Sequence, residues 1–288
     1  MKFLEIIIIY NPNSTGNSKK NAQDFYRAIK DLKKNYNVKL VATKYAGHAE
    51  KIAEQKSAAD RFIISSSGDG GYHEVVNGVM KKPPAQRATL GLLPSGNAND
   101  HYHHMHRGDT LKRMQNNDVT TMELLKLQTS SLTRYAHSYI GIGITPHIGE
   151  KLTETKLNRF NEAWIVLKHL VTFTPVKIRV NGKIKRYQNL LCTNVSKMSK
   201  VIKLSKDTHI NDGKFELTHQ RGTSAFDLIT HLLRASTRGL DDKMMQVKEF
   251  NFYTTRRLKV QLDGEVFRLN RKQKVTISVE QNAIKTII

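Results

Sequence analysis

Four short apolar runs punctuate the first part of the chain: Leu4–Tyr10, Val38–Thr43, Arg61–Ser66 and Thr89–Leu93. Continuous apolar runs bounded by turn residues predict buried strands. The stretches between them predict helices near Lys19–Lys34, His48–Ala58 and His73–Lys81. Strand alternating with helix predicts an α/β domain with a mainly parallel, Rossmann-like sheet in three layers. Each strand runs into a polar or glycine-rich loop: Asn11–Ser18, Lys44–Gly47, Ser67–Gly71 and Pro94–Asp100. Ligands bind open α/β sheets at the carboxyl ends of strands, so all four loops are expected on one edge.

After about Thr120 the pattern shortens to alternating segments: Val176–Val180, Arg186–Thr193, Lys214–Thr218, Lys259–Leu262 and Val275–Val279. Asn181-Gly182 and Asp212-Gly213 are hairpin signals between apolar runs. The pattern predicts a second, mostly β-sandwich domain carrying two helices, Lys151–Val171 and Ser224–Ser236. The expected division is residues 1–125 and 126–288, with the extreme C-terminus able to pack back on the first domain.

Charge changes the picture. The 288 residues include 47 basic and 25 acidic side chains, a net charge of +22, with 39% hydrophobic residues. Such an excess calls for a polyanionic partner: nucleic acid, an anionic membrane surface or phosphorylated substrates. The lysines are spread along the chain, and neither a recognition helix nor an interleaved aromatic-basic pattern is visible, so no nucleic acid is expected. The single cysteine, Cys192, rules out an intrachain disulfide and fits a reducing cytoplasm. It lies in a strand-like run and is expected buried and inert. No stretch approaches a membrane span, and the Ile6–Ile9 run is too short for a signal peptide.

The densest chemistry follows the third strand, in Ser67-Gly68-Asp69-Gly70-Gly71-Tyr72-His73. Glycines between a strand and a helix let backbone approach a ligand and adopt positive φ. Their amides and the helix N-terminus then favour a phosphate. Three further motifs accompany it: Asn11-Pro12-Asn13-Ser14-Thr15-Gly16, Pro94-Ser95-Gly96-Asn97-Ala98-Asn99-Asp100 and Asp263-Gly264-Glu265.

In order and spacing these motifs resemble the diacylglycerol kinase catalytic-domain family, lipid kinases that include sphingosine and ceramide kinases, and in particular the bacterial soluble members. The resemblance implies transfer of the ATP γ-phosphate to a lipid hydroxyl, in a cleft between the two domains, with Mg2+ as cofactor. It implies nucleotide contacts from Asn11, Pro12, Asn13, Ser14, Thr15 and Thr43, a phosphate wrap by Gly68, Asp69, Gly70, Gly71 and Tyr72, and a further nucleotide contact from Asn97. Asp69, with Asp100 through water, would position magnesium. Glu265 is the expected general base and Asp263 its partner or a metal-linked residue, since an alcohol needs a carboxylate to accept its proton. A structural magnesium would sit on Asp212 with the carbonyls of His209 and Lys214; from the residues alone, the same loop is an Asp-Gly hairpin turn. The implied setting is the cytoplasmic face of an anionic membrane, with a homodimer by resemblance.

The chain departs from the family at several points. The usual Gly-Gly-Asp-Gly-Thr reads Ser67-Gly68-Asp69-Gly70-Gly71 here, with one side-chain donor lost at position 71. The usual Gly-Thr-x-Asn-Asp-Phe-Ala-Arg has Asn97 for threonine and His103 for arginine. The cluster His101, His103, His104 and His106 allows a metal, a substrate contact or, preferred, a solvated helix face. The apolar spacing Leu157, Phe160, Trp164, Leu167, Leu170 fits an interfacial helix or, preferred, one packed on the β domain. Two other functions stay open: a soluble-substrate kinase of the NAD kinase or phosphofructokinase type, and a non-catalytic binder of nucleotide or anionic lipid.

Overall fold

The computed structural model describes residues 5–14, 16–32, 36–97, 99–105, 108–154, 173–195, 197–198, 202–203, 211–221 and 244–287. The chain divides into two compact units, Met1–Leu124 with Glu280–Ile288, and Leu125–Val279. It passes from the first to the second within one strand and returns within another.

The first unit begins β1 (Glu5–Tyr10), α1 (Ser18–Lys30), β2 (Asn37–Ala42), α2 (His48–Lys56), β3 (Arg61–Ser67), α3 (Asp69–Met80) and β4 (Thr89–Pro94). It continues with α4 (Asp100–Met105), α5 (Thr110–Asn116) and the start of β5 (Val119–Gln128). The sheet order is β2-β1-β3-β4, all parallel. The end of the chain adds a strand beside β4, with Thr286 opposite Leu90. Ile6, Ile8, Phe62 and Ile64 point to one face, where Ala22 and Ile29 of α1 and Met114 of α5 cover them. On the other face α2 and α3 pack on each other and on β1 and β3. The expected three-layer α/β architecture is present. These strands are apolar on both faces because helices cover both faces.

The second unit holds β6 (Thr133–Ala136), β7 (Tyr139–Gly143), α6 (Ile144–Glu154), β8 (Val176–Val180), β9 (Lys183–Tyr187) and β10 (Asn189–Thr193). It continues with β11 (Lys197–Met198), β12 (Ile202–Lys203), β13 (Phe215–Gln220), β14 (Met245–Val247), β15 (Glu249–Thr254), β16 (Leu258–Leu262) and β17 (Glu265–Leu269). The chain returns to the first unit along β18 (Lys274–Ile287). One sheet runs β14-β13-β10-β7-β16-β17, all antiparallel. The other, within this unit, is antiparallel from the start of β18 through β15 and β8 to β9. Alternate residues of both sheets, among them Ile140, Ile142, Ile178, Cys192, Phe252, Val260 and Val275, form one buried core. This is the sandwich that the alternation predicts.

Several boundaries differ from the sequence reading. The segment Arg186–Thr193 is two strands in different sheets. Gln188 is the corner: its amide donates to Gln220 and its carbonyl accepts from Ile144. α3 starts at Asp69, four residues before the expected His73, so the glycines are helical. Gly68, Gly70 and Gly71 are absent from the positive-φ residues, which corrects the expectation of left-handed backbone there. α6 begins at Ile144, upstream of the expected Lys151. The apolar positions 157–171 and the predicted helix at 224–236 lie outside the described residues. Asn181-Gly182 does turn β8 into β9, with φ of 50° and 76°.

Candidate active site

The strand order creates the site of the first unit. The chain steps from β1 to β2 on one side and from β3 to β4 on the other, so helices after β1 and β3 leave on opposite faces. Their carboxyl ends frame a crevice, the usual place for a ligand in such sheets. Asn11–Gly16 follows β1 and Ser67–Gly71 follows β3, so two of the motifs flank that point. Thr43 lies beside them, its amide donating to the Tyr10 carbonyl at 2.8 Å.

Serines fasten the loops from beneath. The Asn11 amide donates to Ser18 Oγ at 3.0 Å, and Ser18 Oγ donates to the Ser66 carbonyl. Ser66 Oγ returns a bond to the Ser18 carbonyl at 2.8 Å and lies 3.2 Å from Ser95 Oγ. Asn21 Nδ2 donates to Ser95 Oγ and to the Pro94 carbonyl, at 2.9 and 3.0 Å. Ser18, Ser66 and Ser95 are buried. Buried polar groups must be paired, and here the pairing ties the ends of β3 and β4 to the first loop. Within that loop the Asn13 amide donates to Asn11 Oδ1, and the Gly16 amide to Ser14 Oγ. Asn11, Pro12 and Asn13 are exposed and Ser14 is half-buried. Thr15 lies outside the described residues.

Gly68 caps α3 with extended backbone and no side-chain cap bond. The first amides of a helix have no partner within it. An uncapped N-terminus at the switch point is therefore a seat for an anion. Tyr72 takes a different role from the one expected. Its amide donates to the Gly68 carbonyl at 3.1 Å, and its buried ring stacks on His101 with centroids 5.1 Å apart. Tyr72 packs the cradle from inside.

Asp69 Oδ2 accepts the Asp100 amide and Oδ1 the His101 amide, both at 3.2 Å. Its carboxylate thus caps α4 and couples the second motif to the third. Gly96 closes the same junction: a Cβ there would lie 2.5 Å from Gly68 Cα. Asn99, at φ 51°, accepts the Gly96 amide through Oδ1 and donates Nδ2 to the Gly96 carbonyl, at 2.9 and 2.8 Å. Asn97 is left exposed and Asp100 half-buried. His101 is buried and His103 exposed, so these histidines do not share one solvated face.

The second unit carries the carboxylate pair. Asp263-Gly264 is a two-residue turn joining β16 to β17, with φ of 49° and 101°. Asp263 is buried. Its Oδ1 accepts the amides of Ser138 and Tyr139 at 2.9 and 3.1 Å, and its Oδ2 that of His137 at 2.9 Å. His137 Nε2 lies 3.4 Å from Oδ2. Gln261 Nε2 donates to the Gly264 carbonyl at 3.0 Å. The turn is thereby fixed, and Glu265, the residue after it, is exposed. The geometry separates the two acids: Asp263 holds the loop and Glu265 faces solvent.

Residues 5–130 match the family profile of the diacylglycerol kinase catalytic domain. The likeness to that catalytic-domain profile is confined to those residues, the first unit and the start of the second. The chain is 25% identical over 274 residues to the diacylglycerol kinase of Bacillus subtilis, covering 91% of this chain and 87% of that one. It is 27% identical over 283 residues to that of Staphylococcus carnosus, covering 90% and 87%. Its fold superposes on the crystal structure of a diacylglycerol kinase from Bacillus anthracis with TM-score 0.71 at 18% identity, covering 100% and 97% of the two chains. These likenesses support a lipid kinase, and a kinase of that kind takes ATP as phosphoryl donor.

Against the family pattern, the structure accounts for one departure. A Cβ at Gly71 would lie 2.6 Å from Ser67 Cβ and 2.8 Å from Ser67 Oγ. The side chain at 67 occupies the space where the usual threonine side chain would start. Ser67 Oγ bonds Ser65 Oγ at 2.7 Å.

The donor set suits a nucleotide triphosphate: uncapped amides, close-packed glycines and exposed Asn11 and Asn97 side chains. Asp69 and Asp100 supply oxygen ligands of the kind magnesium prefers. Asp212 Oδ1 accepts the Lys214 amide at 2.9 Å. β13 beyond it pairs with β10 and β14, so Asp212-Gly213 is not a two-residue hairpin like Asp263-Gly264. His209 lies outside the described residues. Among the described residues no group of three His, Cys, Asp or Glu side chains could hold a metal, and no helix is long and apolar enough to cross a membrane. Cys192 is buried, and desolvation pushes its thiol pKa well above the ordinary range.

The sequence reading missed the fastening residues Ser18, Asn21, Ser66 and Ser95, and also Glu74. Glu74 accepts the Gly47 and Ala49 amides at 2.8 and 3.1 Å and so caps α2 beside the Lys44–Gly47 loop. A run of serines ending a buried strand was the available signal, since hydroxyls in a core require partners.

Proposed function

We propose that the protein transfers the γ-phosphate of ATP to the hydroxyl of diacylglycerol, forming phosphatidate, at the cytoplasmic face of an anionic membrane. The observation that supports this reading most is the division of labour at the Asp-Gly-Glu turn: a buried Asp263 held by three backbone amides, followed by an exposed Glu265.

Asn11 to Thr15, Thr43 and Asn97 bind the nucleotide, and the amides of Gly68 to Gly71 hold its phosphates at the head of α3. Glu265 accepts the proton of the acceptor hydroxyl. The hydroxyl oxygen bonds to the γ-phosphorus while the bridging P–O bond breaks, and its electron pair leaves with ADP. Asp263 keeps Glu265 in place. Magnesium, when bound, neutralises charge on the phosphate oxygens; Asp69 and Asp100 would hold it through water. Asp212, with the carbonyls of His209 and Lys214, would hold a structural magnesium.

The reading is tested by offering γ-labelled ATP and Mg2+ with diacylglycerol, a sphingoid base, ceramide, NAD and a sugar phosphate. Label in diacylglycerol alone supports it. Label in NAD or sugar phosphate instead would replace it with the soluble-substrate kinase.

A further inference from the structure

The outer face of the second unit's β18-β15-β8-β9 sheet carries an unpaired basic surface. Opposed residues share a face, so register reads that surface directly. One cross-strand row is Lys274, Tyr253, Arg179 and Ile184. The next pairs Lys177 with Arg186. The inward residues between them, Ile178, Phe252 and Val275, belong to the core. Ile184, on the edge strand β9, and Tyr253, near the end of β15, keep 58% and 48% of their surface exposed. Arg256, Arg257, Arg271 and Lys272 are exposed on the turns that end these strands. Among the described residues, no ion pair engages any of these eight cations. The acid on this face, Glu249, lies toward the opposite end of β15 and bonds Asn251.

We infer that this sheet face docks on an anionic lipid bilayer. A four-stranded row spans about 14 Å at the usual strand spacing, a surface suited to a plane rather than to a groove-bound ligand. Eight cations against one acid match a negatively charged leaflet. Tyr253 and Ile184, standing among them, are side chains that enter the interfacial layer while the Lys and Arg heads remain with the headgroups. Self-association of two copies would oppose the same cations to each other and is disfavoured. The inference rests on the lipid-kinase reading for its purpose, since the acceptor resides in a membrane.

The test is sedimentation with phosphatidylglycerol-containing vesicles, which needs no turnover. The face variant Lys177→Glu/Arg179→Glu/Arg186→Glu is compared with Lys30→Glu/Lys56→Glu/Lys112→Glu, an equal charge change on exposed lysines of the first unit. A neutral set, Lys177→Gln/Arg179→Gln/Arg186→Gln, and Ile184→Ser guard against misfolding, checked by thermal melting. The triple charge variants are expected to lose roughly 100-fold in vesicle partitioning, from roughly fivefold for each of the cations removed, and Ile184→Ser a smaller share. The first-unit variant should stay within about twofold, and phosphoryl transfer in detergent micelles should persist. Equal losses in both sets, or a wild type that fails to sediment, would overturn the inference. A change of solution mass in the face variants would assign the surface to self-association and overturn it as well. Micellar turnover without vesicle binding would sink this inference alone, and vesicle binding without turnover would sink the kinase reading alone.

Discussion

Ser67 and Gly71 share one space. A Cβ on Gly71 would sit 2.6 Å from Ser67 Cβ, closer than real side chains approach. In the family pattern a glycine stands at 67 and a threonine at 71, so the two departures form one exchange. The hydroxyl is retained in the cradle but enters from the end of β3.

The exchange predicts a non-additive double-mutant cycle. Gly71→Thr alone should destabilise the protein by about 1–3 kcal/mol, as overpacking does, and raise the KM for ATP. Ser67→Gly/Gly71→Thr should recover both. Melting and ATP kinetics on the four proteins check it; additive losses would contradict the shared-space account.

Gly68 and Gly96 meet backbone to backbone, with a Cβ on Gly96 placed 2.5 Å from Gly68 Cα. Gly96→Ala should therefore separate the second and third motifs. The expected result is loss of ATP binding by at least ~10-fold in calorimetry, with the first unit still folded. Unchanged affinity would show that the close approach is dispensable.

The two acids of the C-terminal motif should fail differently. Asp263→Ala leaves the buried amides of His137 and Ser138 and the part-buried amide of Tyr139 without their acceptor, a loss of about 1–3 kcal/mol for each unsatisfied group at most, seen as a lowered Tm together with lost activity. Glu265→Gln keeps the size of an exposed side chain and should lower the Tm less than Asp263→Ala does. A matching drop in Tm for both variants would remove the distinction.

Acid should loosen the start of β1. Glu5 accepts from Lys39 and Arg61, and its carboxyl is held below its ordinary 4.5, first by the Lys39 hydrogen bond. A depressed carboxyl stabilises the fold above its unfolded pKa and loses that contribution as pH falls through the folded value. Glu5→Gln should lower stability at neutral pH by the modest amount such a partly screened pair contributes, and flatten the acid limb below about pH 4.5 by that same amount. Denaturant melts across that range measure it.

The sheet of the first unit was legible because helices cover both its faces, so Ile6–Ile9 and Phe62–Ile64 stand out as unbroken apolar runs. The motif positions were legible for the same reason, as loops after those strands. The start of α3 was not, since Gly70 and Gly71 oppose helix formation locally and only the packing of Tyr72 and Val75 overrides them. The break at Gln188 was hidden because Arg186–Thr193 reads as one strand; the change of sheet depends on Gln220 and Ile144, distant in sequence. The role of Asp263 was hidden too, because its partners His137 to Tyr139 lie more than a hundred residues away.

The most direct measurement is a single-turnover assay of label transfer from γ-labelled ATP to diacylglycerol in mixed micelles, comparing the wild type with Glu265→Gln at saturating ATP and Mg2+. The account predicts labelled phosphatidate from the wild type and a loss of at least ~100-fold in the variant, with ATP affinity retained. A Glu265→Gln protein that phosphorylates diacylglycerol at the wild-type rate, or a wild type that binds ATP and labels no lipid, would contradict it.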